Sequence, residues 1–378
     1  MAREIIQFGT SRFLQAHADL FVHEARLAGQ DIGPITVVKT SPGSARAGRV
    51  LHIARPEGYP VIIRGLRDGQ RVEDERPVTS VTAALTAVDD WPALQDLFAT
   101  KAEIVFSNVG DSGYEIALSD RALTFPSPGI PTSFPGKLLA LLAARYAAGG
   151  KPLLILPCEL IAHNGQVLRD LLTGLAQDWR APQGFTGWLA TQVTLCDTLV
   201  DRIVSAEIAP IGAIAEPYAL WAVQCPPGMT LPFTHPNVVV TDDLEPYLRL
   251  KLHILNLGHS YLAETWLKTG RPADETVRDI LSDPAIRADL LSLYHDEVIP
   301  GFAARKMKSA ASAYVAQTVE RFDNPFLHHR LAEIAQNHPI KIARRFAEFL
   351  DWVEGGTPEL AVSRLALPRL TAIVAAYP

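Results

Sequence analysis

Apolar residues follow two patterns along this chain, and the change comes near residue 242. Before it, short apolar runs alternate with longer amphipathic stretches. The first run, Glu4 to Phe8, ends at Gly9 and reads as a buried strand. From about Arg12 to Ala28, residues Phe13, Leu14, Ala16, Leu20, Phe21 and Ala25 recur at helical spacing. A second strand, Ile35–Lys39, stops at Ser41-Pro42-Gly43. Strand, tight turn, helix and strand open a right-handed βαβ unit. Further strands are predicted at Val61–Arg64, Glu103–Asn108 and Pro152–Leu156, with a helix at Pro135–Ala148. Runs such as Leu153-Leu154-Ile155-Leu156 imply strands covered on both faces, as in parallel sheets. Tyr218–Gln224 and Asn237–Thr241 are further strand candidates.

After Asp242-Asp243 the apolar spacing becomes helical almost to the end. Helices are predicted at Pro246–Lys268, Asp274–Leu281, Pro284–Val298, Ala303–Arg321, Asn324–Asn337, Pro339–Glu354 and Thr357–Ala376. Asp283-Pro284 and Asn324-Pro325 carry helix-opening signals. The expected fold is α/β: a doubly wound sheet domain over residues 1–242, then a mainly α-helical domain over 243–378. A chain of 378 residues fits two such domains. The Pro/Gly-rich stretch Thr124–Gly136 reads as a surface connector, with a lid as the alternative.

Composition narrows the partners. With 48% hydrophobic and 20% charged residues the chain is a folded globular protein. A net charge of −6 gives no general attraction to nucleic acid, so an anionic ligand needs a local basic pocket. The three cysteines are widely spaced and form no CxxC pair, which suits a reducing cytoplasm. No signal-peptide core and no apolar stretch of about 18 residues is seen, so neither export nor membrane insertion is expected. The 11 histidines form no HExxH or clustered ligand pattern, so no metal is expected. Cys158, beside Glu159 and His163, reads as a buried structural cysteine.

Gly9-Thr10-Ser11-Arg12-Phe13 occupies the position of a phosphate-binding turn. Gly9 permits the tight turn, and N–H groups at the following helix start can hold a pyrophosphate. Ser11 and Leu14 stand where the second and third glycines of the usual fingerprint would be. No acid ends the second strand. Lys39 and Arg46 there can accept a 2′-phosphate or stand as solvated charges, so NAD is expected with NADP left open. Ser107, Asn108 and Val109, at a later strand exit, are placed to border the nicotinamide ribose.

The most informative segment runs from Lys251 to Ser260. At roughly 100° per residue, Asn256 lies about 140° and His259 about 80° round a helix from Lys251, so the three can project to one side. Lysine is an acid/base that works without metal when burial disfavours its charge. An amide and an imidazole can hold and orient an oxygen. This K-x4-N-x2-H pattern resembles the signature of the mannitol dehydrogenase family, the long-chain polyol-specific dehydrogenases. That resemblance implies a Rossmann-type first domain, a helical second domain, Lys251 as acid/base, Asn256 at the reacting oxygen and His259 on substrate.

Other segments are similar in the same order. Ile5–His17 resembles the family's nucleotide turn. Leu156–Gly165 resembles a segment implying Asn164 as a second asparagine at the oxygen, and Leu199–Val204 implies Asp201 on substrate. Arg321–Leu331 and Asn337–Ile342 resemble the substrate-side helices, with Lys341 at a basic family position. Arg321, Arg330 and Lys341, with Arg202, are expected to form a carboxylate-binding cluster. Within the family the wording is most similar to the tagaturonate reductases (altronate oxidoreductases). The chain is shorter than these, and Ser11 and Arg12 replace a glycine and an asparagine. The resemblance implies oxidoreduction of a small keto sugar acid, with a polyol as the alternative substrate and a non-catalytic nucleotide sensor as the alternative of another class. A monomer or small homo-oligomer is expected.

Overall fold

The structure is a computed structural model and describes residues 3–40, 47–127, 129–355 and 363–377. The expected turn Ser41-Pro42-Gly43, Arg46, and the start of the helix placed at Thr357 lie outside the described residues. The chain forms two compact units. The first comprises Met1–Ile63, Asp74–Ala215 and Ala219–Leu244. The second comprises Arg64–Glu73, Glu216–Tyr218 and Glu245–Pro378. A single cut near residue 242 therefore misses two short excursions of the chain.

The first unit is built on β1 (Arg3–Phe8), β2 (Ile32–Lys39), the outer parts of β3 (Tyr59–Arg67) and β4 (Gln70–Val78), whose shared turn at Arg64–Glu73 belongs to the second unit, β5 (Val81–Thr86), β6 (Ala102–Ser107), β7 (Leu153–Pro157) and β8 (Val193–Leu195). Its main sheet has the order β5-β2-β1-β6-β7-β8, with every pair parallel. Numbered within this sheet alone, that is the 3-2-1-4-5-6 order of dinucleotide-binding folds. Its switch point lies between β1 and β6. Ile6, Phe8, Val105 and Phe106 are fully buried, as expected for strands covered on both faces. β9 (Asp197–Asp201) pairs antiparallel with β12 (Leu220–Gln224), which pairs with β13 (Val238–Thr241). β10 (Val204–Glu207) and β11 (Ala213–Ala215) extend the sheet that contains β3 and β4.

The single helix expected from Arg12 to Ala28 is broken into α1 (Arg12–Gln15) and α2 (Ala18–Leu27). His17 leaves helical geometry (φ −127, ψ −91). Its Nε2 donates to the Leu220 carbonyl at 3.1 Å, and Arg202 donates to the Ala16 carbonyl at 2.5 Å. The Arg202 bond satisfies a backbone carbonyl at the break, and the His17 side chain is tied to β12. β4 was not expected. The two-residue turn before it, Asp68-Gly69, has both residues at positive φ, as a tight hairpin requires.

In the second unit, three long helices contain one widened turn each, with i→i+5 bonding: Lys251–Asn256 within 245–269, Tyr294–Val298 within 284–303, and Ala343–Ala347 within 338–354. The second of these precedes Pro300, whose ring would otherwise press on the carbonyl four residues back, inside the widened turn. The helix expected over Asn324–Asn337 is confined to Leu331–Ile334. Asn324 accepts from the Phe326 N–H, and the backbone of 329–331 bonds to Glu275 and Val277, as an extended strand would.

Buried titratable groups give the two units different responses to acid. In the second unit burial lowers His253 to about 4 and pushes down His259, His329 and His338. Each depressed histidine contributes stability that is present above its unfolded value, near 6.5, and is lost as pH falls through its folded value. In the first unit burial lowers His17 to about 3, but it also raises buried Asp19 to about 7 and pushes Glu159 up. A raised acid works in the opposite sense over the same range, offsetting the histidine. Acidification from neutrality toward pH 4 should therefore loosen the helical unit first. Hydrogen exchange with peptide resolution checks this: protection should fall in 245–303 before it falls in the parallel sheet.

Candidate active site

At the carboxyl edge of the first unit's sheet, Gly9 follows β1 at φ +114. A Cβ there would overlap the carbonyl oxygen of Asn108, which follows β6. The two strand ends at the switch point can approach this closely only because residue 9 is glycine. Ser11 caps α1 by accepting from the Leu14 N–H and donates to Asn108 Oδ1 at 2.9 Å. Asn108 Nδ2 donates to the Cys158 carbonyl at 2.8 Å. Thr10 is buried, Phe13 half-buried and Arg12 exposed. Lys39 is buried at the end of β2.

The sequence reading missed Glu159 at this edge. Its buried carboxylate accepts from Ser107 Oγ (3.0 Å), the Val109 N–H (3.1 Å) and the Tyr114 hydroxyl (3.1 Å). Burial pushes its pKa up and these donors oppose the shift. Ser107, Asn108 and Val109 thus brace the loop after β6 with the very groups that were expected to face a ribose. Asn164 also needs correction. It is fully buried, and the two hydrogens of its Nδ2 are shared among the carbonyls of Pro157, Glu159 and Thr198, 3.1–3.2 Å away. Its Oδ1 accepts from the N–H groups of Gly165 and Thr198, both at 2.9 Å. With every polar atom bonded to backbone, Asn164 ties the segment after β7 to β9 and has nothing left for a substrate oxygen. Asp201 is buried at the end of β9.

In the second unit Lys251 and Asn256 bound the first widened turn, and both are half-buried. An i→i+5 repeat brings residue i+5 back over residue i. Asn256 therefore lies closer to Lys251 on the helix surface than the α-helical estimate of about 140° allows. Side chains from the other two widened turns hold this one. The Tyr294 hydroxyl donates to the Ile254 carbonyl at 3.0 Å. Arg345 Nη1 donates to the Asn256 carbonyl at 3.1 Å and to Ser260 Oγ at 2.7 Å, and the Arg345 carbonyl lies 3.0 Å from His253 Nδ1. Because Arg249 donates to His253 Nε2 at 3.0 Å, the His253 proton sits on Nδ1 and is given to Arg345.

His259 is buried one turn on. Its ring bonds the Leu255 carbonyl while Nε2 has no partner among the described residues. Its ring packs on Phe322 (centroids 4.6 Å) and meets His329 edge-on at 4.7 Å. His329, also missed from sequence, likewise has a buried ring nitrogen, Nδ1, without a partner. Burial keeps both rings neutral near pH 7, and the charges of Arg345 and Lys341 push the same way. Lys341 donates to the Ile334 carbonyl at 2.8 Å. No carboxylate among the described residues pairs with Lys341 or Arg345.

The expected four-cation cluster is smaller in the structure. Arg321 is buried and bound through two nitrogens to buried Glu216, at 2.7 and 3.0 Å, so its charge is already neutralised. Arg330 is exposed at the start of a short helix. Arg202 belongs to the first unit and bonds the helix break. Among the described residues no three His, Cys, Asp or Glu side chains are grouped to hold a metal ion, and no helix is long and apolar enough to cross a membrane.

Comparison with known proteins bears on both units. Residues 3–230 match the mannitol dehydrogenase Rossmann domain and residues 243–377 the mannitol dehydrogenase C-terminal domain. The altronate oxidoreductase of Bacillus subtilis (strain 168) is 31% identical over 368 residues, 90% of this chain and 73% of that protein. That of Klebsiella pneumoniae is 33% identical over 374 residues, with the same shares covered. Among solved structures, Pseudomonas fluorescens mannitol 2-dehydrogenase, in a ternary complex with NAD and D-mannitol, superposes with a TM-score of 0.73 at 20% identity, over 100% of this chain and 79% of that one. A substrate-free D-sorbitol dehydrogenase gives 0.73 at 18% identity, over 93% and 76%. The chain belongs to the mannitol dehydrogenase family of oxidoreductases.

Proposed function

We propose that this oxidoreductase interconverts a keto sugar acid and its secondary alcohol with NAD as cofactor. The carrying observation is the half-buried cation pair Lys341 and Arg345, without a carboxylate partner among the described residues and beside two neutral imidazoles with open nitrogens. Burial lowers Arg345 to about 10 and pushes Lys341 down, which is the sign of positive charge held without compensation. A substrate carboxylate would supply the missing counter-charge, and the imidazoles would hydrogen-bond its hydroxyls. The names of the relatives support the same substrate class.

The residues at the switch point fit a dinucleotide: Gly9 and Asn108 leave no room for a side chain between the strand ends, and with the Leu14 N–H taken by Ser11 Oγ, the Arg12 and Phe13 N–H groups would bond a pyrophosphate. When bound, NAD supplies or accepts a hydride at the carbon carrying the reacting oxygen. Lys251 gives the proton to that oxygen in reduction and takes it back in oxidation. Asn256 donates its amide to the same oxygen, which stabilises negative charge developing there. His259 and His329 orient neighbouring hydroxyls.

A neutral polyol is the second reading. It is favoured by the loss of Arg321 to Glu216, of Arg330 to solvent and of Arg202 to the helix break, which leaves Lys341 alone of the four expected cations, with Arg345 beside it. A steady-state panel of keto-uronates, ketoses and polyols with both nicotinamide cofactors decides between them. Lys341→Ala should raise KM for a keto-uronate about tenfold, roughly 1.4 kcal/mol, and leave a neutral ketose almost unchanged. Equal effects on both substrates would assign the polyol.

A further inference from the structure

We infer that Cys196 and Cys225 form a dithiol modification site, oxidised by a peroxide to an intramolecular cross-strand disulfide. The register carries the inference. In the antiparallel pair, Leu220 faces Asp201 and Gln224 faces Asp197. Cys225 and Cys196 stand one position beyond the last pair, each next to the end of its strand, and the register continued by one step sets them opposite each other. Opposed residues of an antiparallel pair have Cα atoms about 4.5 or 5.5 Å apart, inside the roughly 4.4–6.8 Å that a disulfide spans. The side chains agree with the backbone, because each thiol lies within hydrogen-bonding reach of the other. Both cysteines are free.

The segment is held on both sides. The Cys196 N–H bonds the Ile155 carbonyl at 3.1 Å, and Asp197 Oδ1 accepts from the Gln166 N–H at 2.8 Å. The bridge therefore closes on strands already in place. It staples two strands whose far ends carry Asp201 and Leu220, the residue that His17 bonds.

The chemistry balances with hydrogen peroxide. Cys225 is the more exposed of the two, at 6% against 1%, so peroxide reaches its sulfur first. Its thiolate attacks one peroxide oxygen and the O–O bond breaks, giving a sulfenic acid and, after protonation, water. The Cys196 sulfur then displaces the sulfenic oxygen, which leaves as a second water, and the S–S bond forms. Two thiols lose two protons and two electrons, and one peroxide becomes two waters. Burial holds both thiols above their ordinary pKa, so the first step is slow, on a scale of hours rather than seconds.

The full chain is incubated with millimolar hydrogen peroxide, unfolded without reductant in the presence of an alkylating agent, and weighed and peptide-mapped. The expected result is a monomer carrying one alkyl group, on Cys158, and otherwise two hydrogens lighter than the parent, with peptides containing residues 196 and 225 linked and the two hydrogens regained on reduction with dithiothreitol. The oxidised form should also melt several degrees higher, since the bridge restricts the unfolded chain. Cys158→Ser should behave as the parent, and Cys225→Ser should give no linked peptide. Overoxidation of separate cysteines, a bridge to Cys158, or bridging only between chains would each overturn the assignment. The parent chain alone gives this answer, so a variant that fails to fold does not obscure it.

Discussion

Lys251→Ala is expected to lower turnover by roughly 10²–10⁴-fold, the usual contribution of a positioned acid/base. The loss belongs in kcat. Without an ammonium at residue 251 the forming alkoxide must take its proton from water, while the turn at Gly9–Ser11, proposed for the cofactor, lies in the other compact unit and keeps its geometry. Titration of NADH fluorescence should therefore give a Kd within about twofold of the parent (under ~0.4 kcal/mol). Stability should change little, because residue 251 is only half-buried. Near-normal turnover in this variant would remove Lys251 from the chemistry and with it the proposed mechanism. Loss of NADH binding together with turnover would mean that the substitution acts on the fold. Exogenous small amines offer a second readout, because partial rescue by a primary amine is expected only where a proton donor is missing.

How far the sequence could be read depended on what each element buries. β1, β2, β6 and β7 are covered on both faces, and continuous apolar runs mark them. β4 alternates exposed and half-buried residues, reads Gln-Arg-Val-Glu-Asp-Glu-Arg, and has only Asp68-Gly69 as a signal. The break at His17 could not be read locally, because its cause is a bond to Leu220, more than two hundred residues away. The three widened turns are equally silent. A change from i→i+4 to i→i+5 bonding alters neither composition nor apolar spacing enough to notice, and only Pro300 marks one of them.

The candidate site follows the same rule. Lys251, Asn256 and His259 lie within nine residues on one helix and could be found together. His329 and Arg345 reach the same neighbourhood from distant segments, and no spacing rule connects them. Asn164 stood out in its segment, but a motif cannot distinguish an amide that faces a ligand from one that faces backbone. Its five bonds to backbone groups do.

The widened turn beneath Lys251 makes the second large prediction. Gly258 lies directly against the Tyr294 side chain. A Cβ at residue 258 would overlap the Tyr294 hydroxyl, lie 3.0 Å from its Cζ and 3.2 Å from Phe322 Cε2. That hydroxyl is the group bonded to the Ile254 carbonyl inside the turn. Gly258→Ala must therefore push Tyr294 off this carbonyl or push the helix away, and overpacking of this kind costs roughly 1–3 kcal/mol. Turnover should fall as well, because Lys251 and Asn256 sit at the two ends of the turn that Tyr294 holds. Tyr294→Phe removes only the oxygen. It leaves the Ile254 carbonyl without this partner in a buried site, at roughly 1–3 kcal/mol. The double variant distinguishes steric conflict from simple weakening. With the hydroxyl gone, the added methyl meets only the ring carbons, so the combined cost should fall short of the sum by about 1 kcal/mol or more. Urea unfolding of the two single variants and the double variant measures that coupling. Additive costs would show that residue 258 and the Tyr294 hydroxyl do not share the space the structure assigns them, and the turn would then need another support.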